Sequence, residues 1–75
     1  MERKLFLKPS MVKDFVNAAS KCDFDIDVAS NYRYYVDAKS ILGILALDLS
    51  KPIKITYSGY NPDFEAYLRT AEQAV

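Results

Sequence analysis

From Asp23 to Val28 acidic and apolar residues alternate without exception, a pattern no helix can use. Phe24, Ile26 and Val28 fall on one side of an extended chain and Asp23, Asp25 and Asp27 on the other. The segment therefore reads as a strand with one face in a core and one in water. The same period returns where Ile53, Ile55 and Tyr57 alternate with Lys54, Thr56 and Ser58. A further strand is predicted from Tyr32 to Ala38, after turn chemistry at Ser30-Asn31. There Tyr34, Val36 and Ala38 share one face, and Arg33, Tyr35 and Asp37 the other. Glu2 to Leu7, with poorer alternation, predicts a first short strand.

Between these runs the period changes. Val12, Phe15, Val16 and Ala19 recur at i, i+3, i+4 and i+7, the apolar stripe of a helix. Pro9 pushes Lys8 towards an extended conformation and suits a first helical turn. Lys8 or Ser10 could cap that helix, and serine is the better capping residue. A Lys39-Ser40 pair then opens an almost wholly apolar helix through Leu47, which Asp48 to Lys51 close ahead of Pro52. Asn61-Pro62 starts a last helix, with Phe64, Tyr67, Leu68 and Ala71 as its inward stripe. Asp63 and Glu65 lie in its first turn, where negative charge is favourable. The order is β-α-β-β-α-β-α, an α+β chain. A four-stranded antiparallel sheet with helices on one face satisfies every stripe in two layers. Periodicity leaves the strand order open.

Seventy-five residues predict a single domain, residues 1–75, with a small core. Ten basic and ten acidic residues cancel, which argues against a nucleic-acid binder or docking to an anionic membrane. Cys22 has no second cysteine to pair with. The apolar stretch after Lys4 is too short for a signal peptide, and no run reaches transmembrane length. These features predict a soluble, cytoplasmic protein. Gly43 and Gly59 are the only glycines, so no glycine-rich phosphate loop exists and a nucleotide-dependent enzyme is excluded. Asp23, Asp25 and Asp27 fail as a calcium loop, because Val28 stands where its glycine belongs and Tyr34 where its glutamate belongs. No metal, cofactor or catalytic residue is predicted. Of the tyrosines, Tyr57 and Tyr67 read as core, and Tyr35 and Tyr60 as exposed.

The run Ala38-Lys39-Ser40-Ile41-Leu42-Gly43 resembles the serine helix of the HPr family, the small phosphocarriers of the bacterial sugar phosphotransferase system. Phe15, Val16 and Ala19 resemble its first helix, and Pro52-Ile53-Lys54-Ile55-Thr56 its following strand. The likeness spans roughly residues 8 to 72. It implies an open-faced sandwich of strand order 1-4-2-3 with three helices on one face. In that family a histidine at the start of the first helix carries the phosphate, yet this chain contains no histidine. Registering on Phe15 and Val16 puts Lys8 at the histidine position and Ser10 at that of a following arginine. A lysine is protonated at neutral pH and has no free electron pair to attack phosphorus. If Glu2 to Leu7 form the strand, the family's active-site loop is largely deleted as well.

Ser40 is then the leading functional candidate. In many Gram-positive relatives the matching serine is phosphorylated by a dedicated HPr kinase, and the product binds a transcriptional regulator. The resemblance implies those protein partners here, with Lys39, Ile41, Leu42 and Leu45 as contact candidates beside Ser40. A serine at this place also reads simply as a helix cap, and the apolar run as core. The competing function is a small domain that binds a metabolite or assembles as an oligomer, sharing only architecture with HPr. An exposed patch at Ile41 and Leu42 discriminates for the first, a closed pocket or a large interface across the sheet for the second.

Overall fold

A computed structural model describes residues 2–30 and 34–73. Strands β1 (Glu2–Leu5), β2 (Ile26–Ala29), β3 (Val36–Asp37) and β4 (Ile53–Tyr57) form one antiparallel sheet of order β1-β4-β2-β3. Helices α1 (Val12–Ser20), α2 (Ile41–Leu45) and α3 (Pro62–Gln73) cover one face. Order and layering are those the resemblance implied. The core lies between the layers: Ile26, Val28, Ile53 and Ile55 from the sheet meet Phe15, Ile44, Phe64 and Leu68 from the helices, all essentially inaccessible to water.

The end of β1 and the start of β2 fall where the partner strand runs out. Leu5 pairs with Ile53, and the next rung would face Pro52, which has no N–H to donate. That ends β1 at Leu5 instead of the expected Leu7, although Leu7 is still buried. Ile26 pairs with Tyr57, the last residue of β4, so β2 begins three residues later than its alternation suggests. Phe24 instead stacks on Tyr57, ring centroids 5.8 Å apart. It lies so close to Gly59 that any side chain there would run into its ring.

β3 is the largest departure. It holds only Val36 and Asp37, against the expected Tyr32 to Ala38. Tyr34 and Tyr35 precede it and are exposed, so Tyr34 does not share the inward face with Val36 and Ala38. Asn31, Tyr32 and Arg33, which carried the start of that strand and part of its turn, lie outside the described residues.

The buried stripes of α1 (Val12, Phe15, Val16, Ala19) and α3 (Phe64, Leu68, Ala71) are those of the sequence pattern. Tyr67 is half-buried, and its hydroxyl donates to the Met11 carbonyl at 3.4 Å. Asn61 caps α3: its Oδ1 accepts from the Phe64 N–H at 3.0 Å. Before α1 the chain makes a 3-10 turn, Pro9–Met11. Lys8 occupies the cap position of that turn without a side-chain cap bond, and Ser10 sits within it and caps nothing.

Candidate functional site

α2 is five residues long, too short to persist in isolation, and three devices hold it. Ser40 is its cap: the Oγ accepts from the Gly43 N–H at 3.2 Å, and the Ser40 carbonyl accepts from Ile44 at 3.1 Å. Gly43 permits the fit, since a Cβ there would lie 3.2 Å from the Val36 Cβ and 3.3 Å from Ser40 Oγ. Ile44, fully buried, anchors the helix to the core. The last turn then tightens, with Leu47 N–H bonding to the Ile44 carbonyl at 3.1 Å. Asp48 ends the segment: its N–H donates to Ser30 Oγ, and its carboxylate accepts from Ser50. Those bonds from Ser50 hold the Asp48 carboxyl below its usual pKa.

The expected apolar run therefore divides. Ile44 is core, and Leu47 and Leu49 pack partly against it. Ile41 is 41% exposed, Leu45 53% and Leu42 77%, a concentration of aliphatic surface beside an exposed hydroxyl. Lys39 stands apart from them. It is half-buried, its N–H donates to Asp37 Oδ1 at 2.9 Å, and its charge is felt at Cys22. Burial pushes the Cys22 thiol pKa up, against the opposing pull of Lys39, and the sulfur hydrogen-bonds to the Ala18 carbonyl.

The second place of interest is the start of α1. Three residues, Phe6 to Lys8, join β1 to the 3-10 turn. Lys8 is exposed there, and its carbonyl accepts from the Met11 N–H at 2.8 Å. Ser10 is exposed in the next position but one. The described residues contain no cluster of three or more histidines, cysteines or carboxylates able to hold a metal ion. No described helix is long and apolar enough to cross a membrane.

Sequence reasoning missed a third grouping altogether. Glu65 of α3 is 5% exposed. Its Oε1 lies 2.7 Å from Arg3 Nη1, and its Oε2 accepts from the Tyr57 hydroxyl. Arg3 also grips Glu72, with Nη2 2.7 Å from its carboxylate. Burial first, then the hydrogen bond to Glu65 and its negative charge, push the Tyr57 pKa up to about 12. The cluster ties β1 and β4 to α3 around the buried Glu65 carboxylate, so it is a joint of the fold.

An antiparallel sheet in the order 1-4-2-3, open on one side and carrying a capping serine beside exposed aliphatics on the other, defines an open-faced α+β sandwich with a surface-exposed serine helix. The chain belongs to the HPr family: the model described as the PTS HPr component phosphorylation site matches residues 7–75. Two solved structures are similar to it. HPr-C-His from Thermoanaerobacter tengcongensis is 26% identical with a TM-score of 0.76, over 97% of this chain and 92% of that one. The phosphocarrier protein HPr from Bacillus anthracis str. Ames is also 26% identical, with a TM-score of 0.68, over 100% of this chain and 95% of that one. No curated protein matches the sequence significantly.

Proposed function

We propose that this HPr-family protein does not carry phosphate on histidine and acts by protein-protein contact through α2, under phosphorylation of Ser40. The observation that carries the reading is the pairing of an exposed cap hydroxyl with Ile41, Leu42 and Leu45, all exposed, in a chain without histidine. Lys8, in the register of the family's histidine, offers an ammonium group and no nucleophile at neutral pH. The three-residue connection from β1 leaves little chain for an active-site loop.

The local geometry suits a phosphate on Ser40. The N–H groups of Ile41 and Leu42 precede the first intrahelical bond and are available to a phosphate oxygen, as is the Gly43 N–H that Ser40 Oγ now engages. Such a group adds nearly two negative charges beside an aliphatic patch. A partner that reads both elements together, cationic at one end and apolar at the other, gains most from the modification. The kinase and transcriptional regulator that work on many relatives have that kind of task.

The test uses two reactions on the purified protein. Incubation with HPr kinase and ATP is expected to label Ser40 and nothing in a Ser40→Ala variant. Incubation with phosphoenolpyruvate and the first enzyme of the phosphotransferase system is expected to give no stable phosphoprotein. Label transferred in the second reaction removes the lost-carrier reading, and no label at Ser40 in the first removes the regulatory one.

A further inference from the structure

We draw no further inference here: the strongest candidate, the groove of about 410 Å³ between β3 and the C-terminal end of α2, walled by Tyr34, Val36, Ala46 and Leu47, is largely apolar, its Ser30 and Asp48 already bond within the chain, and nothing in the structure shows what covers it.

Discussion

Two sides of the helical layer contradict simple expectation in opposite ways. Where α3 meets β1 and β4, the carboxylate of Glu65 is almost wholly buried, while on α2 the side chains of Ile41, Leu42 and Leu45 stand in water. The buried charge is tolerated because Arg3 and Tyr57 satisfy both of its oxygens. The exposed aliphatics have no comparable compensation within the fold. Ile44 alone gives α2 its full burial, and the core closes without the other three. Polar groups on one side therefore serve folding, and apolar groups on the other are left outside the core. Residue type by itself would assign both sides wrongly.

The sharpest way to break this contrast is to remove the buried carboxylate. Glu65→Ala leaves Arg3 and the Tyr57 hydroxyl without that partner, and is expected to cost about 3–5 kcal/mol in urea denaturation. A loss below about 1 kcal/mol would show the joint to be ornamental. Ile44→Ala removes the single anchor of α2 and is expected to cost about 2–4 kcal/mol. The protection of α2 amides from exchange should fall further than that of β4.

A smaller effect comes from titration. Tyr57 keeps its proton to about pH 12 in the folded chain but loses it near its ordinary value when unfolded. Above that ordinary value the unfolded state binds fewer protons, so stability is fully present below about pH 10 and declines as pH rises towards 12. The expected loss is on the order of 2 kcal/mol, and Tyr57→Phe should remove this component of the decline. Smallest in stability is Leu42→Lys, expected within about 0.5 kcal/mol of the parent. If α2 is the contact surface, the same change should abolish partner binding in a pull-down with the Ser40-phosphorylated protein. A large stability loss would instead make Leu42 a structural residue.

Much of the fold was legible because period alone distinguishes strand from helix. The stripes of α1 and α3 and the alternation of β4 appear in the structure as the sequence places them. Strand ends were not legible, since each depends on a partner remote in sequence: Pro52 stops β1, and the end of β4 fixes the start of β2. The burial of Glu65 was hidden for the same reason, with Arg3 sixty-two positions away. α2 failed differently. A run apolar nearly all round has no phase, so nothing in it says that Ile44 turns inward while Leu42 turns out. The strand order came from resemblance and not from any pattern in the residues.

The dependence of α2 on one inward side chain has an evolutionary consequence. Stability constrains Ile44, Gly43 and the capping Ser40, but scarcely touches positions 41, 42 and 45. Those three sites can drift among side chains of different size and charge without risking the fold. Under the proposed function, a lineage can therefore change which protein it recognises by a few neutral steps, keeping the same scaffold and the same Ser40 hydroxyl.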